Sequence, residues 1–478
     1  MPKKIYCTIL CCLLTFLPSI LQAQAEKEKI SASIEAQQDA YRDLALDIWN
    51  YAEIGYKETK SSQALQQTLE SAGFNIERGV AEIPTAFVAS YGSGEPVIGI
   101  LGEYDALPGL SQAAVAERKT LVEGAAGHAC GHHLFGVASA AAAIAMKDWL
   151  DNNDKSGTVR FYGTPAEEGG SGKVYMVRAG LFDDVDVVLQ WHPSSVNDAS
   201  PGTTLANKSG KFRFYGEASH AAFAPERGRS ALDGVEAMNY MVNMMREHTE
   251  ESSRIHYVIT KGGEAPNVVP NFAEVYYYVR HKDVAEVKDM WNRLINAAEG
   301  AAQGTDTRVE VEVVGGVYNI LPNETLSEVM YENLQFVGGV DYDAKEKAFA
   351  EKISATFGNN AVDLSIANEI QPRQMREGKA SSDVGDVSWA VPTVGLGTAT
   401  WVPGTSAHSW QAVAAGGTSI GIKGMIVAAK TIALSGIELI QKPNIIDEAR
   451  QEFDQRRGEG FQYEALIGER EPPLDYRK

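Results

Sequence analysis

The chain has 478 residues, 44% of them hydrophobic, which is ample for a core and long for one compact unit, so two structural domains are expected. Its formal net charge of -20 gives a surface that repels nucleic acid and anionic lipid, which argues against both as partners. No internal repeat and no low-complexity segment is present, which argues against a solenoid or a disordered scaffold.

The N-terminus differs from the rest. Lys3 and Lys4 precede an apolar run over residues 5–21, and Ala23-Gln24-Ala25 stands just before a charged stretch starting at Glu26. Basic start, apolar middle and small-residue end describe a secretory signal peptide over residues 1–25. The run is short for a membrane span and contains Thr15, Pro18 and Ser19. The expected location is secreted or periplasmic, with no membrane attachment after signal removal. Three of the four cysteines, Cys7, Cys11 and Cys12, fall in this segment, so the mature chain keeps Cys130 alone and can form no internal disulfide. A lone thiol in an oxidising compartment has to be buried or metal-bound to survive.

Residues 33–72 carry a helical pattern broken around Gly55. Residues 85–91 and 97–102 have strand character, residues 134–150 form an Ala-rich helix, and residues 158–163 and 187–191 are short apolar strands. Strands alternating with helices predict an α/β layer with a largely parallel sheet. A second rhythm begins near Lys208. Strands at 211–217, 254–262, 272–280 and 308–314, with helices at 230–248 and 284–302, give the order β-α-β-β-α-β, a ferredoxin-like unit. Strand-rich sequence is expected to resume after about Val317, so the small unit (208–316) is inserted into a discontinuous larger domain (26–207 and 317–440). Residues 441–478 turn charged and predict a helix followed by a surface tail.

Four clusters hold the chemistry-bearing side chains. In Gly127-His128-Ala129-Cys130-Gly131-His132-His133 the Cys130 and His132 side chains, two residues apart, reach one centre from an extended loop. Thiolate and imidazole suit zinc or a similar transition ion. Thr164-Pro165-Ala166-Glu167-Glu168-Gly169-Gly170 follows a strand, where ligands gather in open α/β sheets. Adjacent carboxylates there can divide labour, one binding metal and the other standing free as general base. His192 ends the strand Leu189-Gln190-Trp191, and His408 lies in the loop Ser406-Ala407-His408-Ser409-Trp410. Taken singly each is weak evidence. Together they supply Cys130, His132, Glu168, His192 and His408, more ligands than one open tetrahedral metal needs, so two divalent ions, zinc or manganese, are expected.

The sequence resembles the aminoacylase and carboxypeptidase superfamily of dinuclear metallohydrolases over roughly residues 41–437. More narrowly it is similar to the branch with hippurate hydrolase, auxin-conjugate hydrolases and p-aminobenzoyl-glutamate hydrolase. The motifs that carry this are Tyr104-Asp105-Ala106-Leu107-Pro108, the His-Ala-Cys-Gly-His run, Pro165-Ala166-Glu167-Glu168-Gly169-Gly170 and Ala218-Ser219-His220-Ala221-Ala222. The stretches from Ser382 to Trp389 and from Gly404 to Trp410 most resemble the B subunit of aminobenzoyl-glutamate hydrolase. The resemblance implies a metallopeptidase-like catalytic domain with the inserted unit as lid and dimerisation domain. It implies the same five metal ligands, Glu167 as general base and Asp105 as the group that orients a ligand. It also implies that His220 and Asn267 reach the substrate of the other subunit. His133 departs from the Asp or Asn usual after Cys-Gly-His, which bears on the support of the ligands or on metal preference.

The expected activity is metal-dependent hydrolysis of the amide in N-acyl or N-aroyl amino acids, or in dipeptides, with a free carboxylate. The expected assembly is a homodimer, with a paralogous chain as alternative partner. The competing reading is a catalytically silent member of a heteromeric hydrolase, against which the complete ligand set and Glu167 argue.

Overall fold

The computed structural model of the protein describes residues 22–477. Most of the expected signal segment therefore lies outside the described residues, and its positions 22–25 begin a helix, α1, over residues 22–36. That helix buries Ile30 and Ile34 in the main core. Helices α2 (Gln38–Tyr51) and α3 (Thr59–Ser71) follow. The break between them at Gly55 is a packing requirement: a Cβ there would lie 2.3 Å from Tyr476 Oη and 2.9 Å from Ala166 Cβ.

The chain next forms β1 (Asn75–Arg78), β2 (Phe87–Ser93), β3 (Val97–Gly102), α4 (His132–Asn153), β4 (Gly157–Gly163), α5 (Gly172–Arg178) and β5 (Val187–Ser194). Helix α4 is apolar all round, with its alanines packed on every side, as a helix enclosed within a core has to be. After the two-residue β6 (Gly202–Thr203) come β7 (Ala206–Tyr215), α6 (Ala231–Met245), β8 (Arg254–Lys261), β9 (Phe272–His281), α7 (Val284–Thr305) and β10 (Arg308–Val317). These form a separate antiparallel sheet in the order β10-β7-β9-β8. Strand β9 alternates buried and half-buried residues, placing Ala273, Val275, Tyr277 and Val279 on the face covered by α6 and α7. The β-α-β-β-α-β order is the ferredoxin-like order expected from the sequence.

The rest comprises α8 (Glu324–Val337), α9 (Ala344–Ala355), β11 (Arg376–Glu377), α10 (Val384–Ala390), β12 (Thr393–Ala399), α11 (Trp410–Gly416), α12 (Ser419–Gln441) and α13 (Pro443–Arg457). The larger sheet runs β1-β2-β4-β3-β5-β12, parallel from β4 to β12 and antiparallel at the β1-β2-β4 end. The strand-rich region expected after Val317 is instead mostly helical. Leu326, Val329, Met330 and Leu334 recur at helical spacing and are buried in α8, while β12 is the one longer strand there. Helix α12 is apolar and long enough to cross a membrane by length and composition, but it is packed inside the protein.

The expected surface tail is also corrected. Beyond α13 the chain is charged overall, yet Leu466 and Ile467 are each 3% exposed, one in the core of the small domain and the other in that of the large one. Tyr463 Oη donates to Asp386 Oδ1 at 2.7 Å. A few well-spaced apolar residues anchor this segment, and average composition conceals them.

Candidate metal centre

The loop carrying Cys130 and His132 is shaped by Gly131, whose φ of 76° lies in the left-handed region. A Cβ at Gly131 would meet Pro193 Cβ at 2.7 Å, so only glycine lets this loop close onto the end of β5. That closure puts Cys130 Sγ 3.3 Å from His192 Nε2. Glu167 and Glu168 stand just past β4, after Ala166, which holds a φ of 57°. His408 also holds a left-handed φ of 59°, and its N–H donates to the Ala129 carbonyl at 2.9 Å. Non-glycine residues in that region carry strain that the surroundings have to enforce, and such positions cluster at functional sites.

Two sets of donors converge. Cys130, His132 and His192 have ligand atoms within 4.8 Å of one another, as do Cys130, Glu168 and His408. Cys130 is common to both sets. The five residues expected from the sequence are therefore brought together around two adjoining centres. The imidazoles are set by their other nitrogens. His132 Nδ1 lies 2.8 Å from Asp105 Oδ1, and His192 Nδ1 lies 2.7 Å from the Pro193 carbonyl. Each contact places the proton on Nδ1 and leaves Nε2 as a donor lone pair. Asp105 also accepts the Glu168 N–H at 2.9 Å, so one carboxylate orients two of the converging groups.

Sequence reasoning missed three residues here. Glu103, at the end of β3, brings Oε2 to 3.0 Å from His132 Nε2. Glu103, His132 and Glu167 form a third set of converging donors. Lys173, in α5, is fully buried and pairs with both Glu103 Oε1 and Asp383 Oδ1 at 2.7 Å. Lys173 follows the Glu-Glu-Gly-Gly turn by only a few residues, and Asp383 lies in the Ser-Asp-Val-Gly-Asp stretch, but a buried Lys bridging two distant carboxylates leaves no sequence pattern.

The electrostatics are those of a crowded anionic site. Burial, with Glu103, Glu168 and Asp383 nearby, holds the Glu167 carboxyl well above its usual range, and Lys173 offsets only part of this. Burial acts to raise Glu168 as well, but the contacts with His408 and His132 keep it low. Burial pushes the Cys130 thiol up and the His192 imidazole down. Burial also opposes protonation of His132, but Glu103, Cys130 and Asp105 outweigh it and raise its pKa. His133 is lowered to about 3 by burial. Its Nε2 lies 3.1 Å from the Gly416 carbonyl and its ring packs on His128, so it is not among the converging donors.

These residues fit divalent metal. His132 Nε2, Glu103 Oε2 and Glu168 Oε1 are buried without a hydrogen-bond partner although each faces a neighbouring donor group. Buried polar atoms rarely stay unsatisfied, and lone pairs that lie close to other ligand atoms are what a cation would satisfy. Borderline-soft ions accept this mixture of thiolate, imidazole and carboxylate.

Glu167, Glu168, Asp383 and His408 form one side of a cavity of about 990 Å³. Ser209, Tyr276, Tyr278 and Arg280 from the small sheet face them, and the C-terminal segment, including Arg470 and Arg477, lines the remainder. His220 and Asn267 do not line it. They are exposed on the small domain and adjoin each other, with Ala221 N–H donating to the Asn267 carbonyl at 3.0 Å.

The model of peptidase family M20/M25/M40 matches residues 99–411. The chain is 43% identical over 453 residues to the B subunit of p-aminobenzoyl-glutamate hydrolase of Escherichia coli, covering 89% of this chain and 94% of that protein. It is 29% identical over 451 residues to the Xaa-Arg dipeptidase of Mus musculus, covering 91% and 94% respectively. In fold it is similar to a dinuclear metal-binding peptidase of the M20 family from Bacillus subtilis, with a TM-score of 0.58, 17% identity, and 85% and 99% of the two chains covered.

Proposed function

Because the chain belongs to peptidase family M20/M25/M40 and is an amidohydrolase of that family, we propose that it cleaves the amide of N-aroyl or N-acyl amino acids bearing a free carboxylate, with p-aminobenzoyl-glutamate as the reference substrate. The observation that carries this reading is the convergence of Cys130, His132, Glu168, His192 and His408 beside a further carboxylate, Glu167. The similarity to one chain of a p-aminobenzoyl-glutamate hydrolase supports the substrate class, and the similarity to a dipeptidase supports amides of amino acids more broadly.

Those five residues would hold two divalent ions, zinc or manganese, which when bound supply Lewis acidity to the amide carbonyl and the attacking water. Glu167 takes a proton from that water and delivers it to the leaving nitrogen, a role open to a carboxylate that stands beside the five proposed ligands. Asp105 fixes the His132 tautomer and the Glu168 backbone, and so the direction of both side chains. His220 and Asn267 would donate to the developing oxyanion and the substrate of a partner subunit. Their exposure on the small domain, away from their own chain's cavity, supports a role across a dimer. The edge strand β8 supports the same assembly, since Val258 is 55% exposed there, with Tyr240 on α6 69% exposed. Because the Escherichia coli relative is one subunit of a hydrolase, a paralogous partner stands as the alternative to a homodimer. The basic, apolar and Ala-Gln-Ala succession over residues 1–25 supports export to the periplasm or medium, which N-terminal sequencing of the mature protein tests.

The deciding experiment measures metal content and amide release together. Protein loaded with zinc or manganese is assayed on p-aminobenzoyl-glutamate, on other N-acyl amino acids and dipeptides, and on their methyl esters. Cleavage of the free acids with poor turnover of the esters is expected. Equal turnover of both removes carboxylate recognition. Full metal content with no hydrolysis of any substrate favours a catalytically silent chain instead.

A further inference from the structure

The C-terminal segment reaches the metal centre, and each stage of its path is tied down. Arg178 of α5 donates to the carbonyls of Gly468 and Arg470, at 2.8 and 2.7 Å. Tyr175 Oη donates to the Glu471 carbonyl at 3.3 Å. Arg470 in turn donates to the carbonyls of Val313, at 3.1 Å, and Val314 on β10. Further on, Asp475 pairs with Lys57 at 2.8 Å, and the Tyr476 ring meets Tyr56 edge-on, with centroids 5.6 Å apart. Tyr476 Oη donates to the Glu168 carbonyl at 3.2 Å, and Arg477 Nη2 donates to the same oxygen.

Resting on the reading of this cavity as the site of a carboxylate-bearing amide, we propose that Arg477 is a specificity-determining residue that pairs with the substrate's free carboxylate. The side of the cavity at the metal centre is built from Glu167, Glu168 and Asp383, so an anionic substrate needs a cation placed among them. Four cationic side chains line the cavity. Lys211 lies 3.9 Å from Glu274, Arg280 stacks over Tyr278 and Arg470 holds the β10 carbonyls, while Arg477 lies over Tyr476 and keeps one terminal nitrogen unpartnered. Arg477 stands at the metal-centre side, close enough for its charge to act on His408. One of its terminal nitrogens is used on Glu168, and the other, Nη1, is buried with no hydrogen-bond partner. A buried donor left unmade is costly, and a guanidinium fork held by one arm is ready to take a carboxylate oxygen with the other. The carboxylate of an amino-acid amide sits next to the scissile bond, so the cation that reads it has to lie beside the metal centre. Arg477 does, whereas Arg470 and Arg280 belong to the small-domain side.

The test compares metal-loaded wild type, Arg477→Ala, Arg477→Lys and a chain ending at Asp475, on p-aminobenzoyl-glutamate and on its dimethyl ester. Loss of one charged hydrogen bond predicts that Arg477→Ala raises KM for the free acid about 10- to 100-fold while kcat changes by less than about 3-fold. KM for the diester should not move, so the preference for the free acid falls by the same factor. The shortened chain should lose at least as much of the preference as Arg477→Ala, and Arg477→Lys should recover part of it. Metal content and thermal midpoint should be unchanged in the two Arg477 variants, because Arg477 lies outside the cores of both domains, whereas the shortened chain also loses Tyr476, which packs against the larger core. A preference for the free acid that persists in Arg477→Ala overturns the proposal, as does higher turnover of both substrates, which would mark the segment as a block. A wild type without that preference overturns the proposed function together with this inference.

Discussion

At the scale of single residues, the paired glutamates and the buried lysine give the sharpest expectations. Glu167→Gln should keep its metal and lose rate, by roughly 10²- to 10⁴-fold, because it removes a proton carrier and leaves the ligand set intact. Glu168→Gln should lose metal, since Glu168 converges with Cys130 and His408. Metal analysis beside initial rates separates the two, and metal loss in both variants would dissolve the division of roles. Lys173→Met would strand Glu103 and Asp383, both buried and both 2.7 Å from the missing ammonium. Breaking such a buried ion pair typically costs about 3–5 kcal/mol, so denaturant unfolding should detect a large drop in stability. A variant as stable as wild type would mean that the two carboxylates are protonated or solvated when Lys173 is gone. The sequence made Cys130, His132, Glu167, Glu168, His192 and His408 visible, because ligand types clustered in short motifs at strand ends and in loops are rare enough to notice. It left Glu103, Lys173 and Asp383 hidden. Their meaning lies in a contact between β3, α5 and the N-terminus of α10 that only the assembled sheet creates.

At the scale of elements, legibility followed periodicity. The β-α-β-β-α-β order of the small domain was readable because β7, β9 and β10 alternate and α6 and α7 carry helical stripes that match. After Val317 glycine and threonine punctuation suggested strands, but those residues mostly join helices, and only β12 is a strand of more than two residues among the described residues. The C-terminal segment hides its packing for a related reason: its few anchors, such as Leu466 and Ile467, are diluted by charge. The edge strand β8 has a consequence of its own. Tyr257, Val258 and Ile259 are exposed along it, and Tyr240 and Met244 project from α6. An apolar, unpaired edge invites a second copy to extend the sheet. The double variant Val258→Lys with Tyr240→Glu should therefore sediment as a monomer, retain full metal and lose most of its activity. A fully active monomer would remove the small domain from the catalytic argument.

At the scale of the whole molecule, two properties depend on parts far apart in sequence. The first is the pH dependence of stability. Asp386 is pushed up to about 7, chiefly by burial, against hydrogen bonds from Tyr463 and Tyr318 that favour the charged form. The folded protein therefore binds this proton more tightly than the unfolded chain, where an aspartate ionises near ~3.9. That contribution to stability is complete below about pH 4 and is lost as pH rises through about 7. Asp386→Asn, which has no such proton to lose, should show a shallower fall in thermal midpoint over the same range, and parallel curves would rule Asp386 out as the cause. The second is the proposed sharing of a catalytic site between subunits. His220 and Asn267 adjoin each other on the exposed side of the small domain, outside the cavity that Glu167 lines in the same chain. Neither converges with the metal donors, so His220→Ala should keep both its fold and its metal. If His220 stabilises the oxyanion across the dimer, its loss should cost about 3–4 kcal/mol of barrier, close to a 10²- to 10³-fold loss of rate. Mixing His220→Ala chains with Glu167→Gln chains, each nearly inactive alone, then gives dimers in which one site has both groups intact. Partial return of activity, rising with the fraction of mixed dimer measured by native mass spectrometry, is the expected result. Mixed dimers as inactive as either parent would place His220 outside the reaction, and dimerisation would then have to be explained by stability alone.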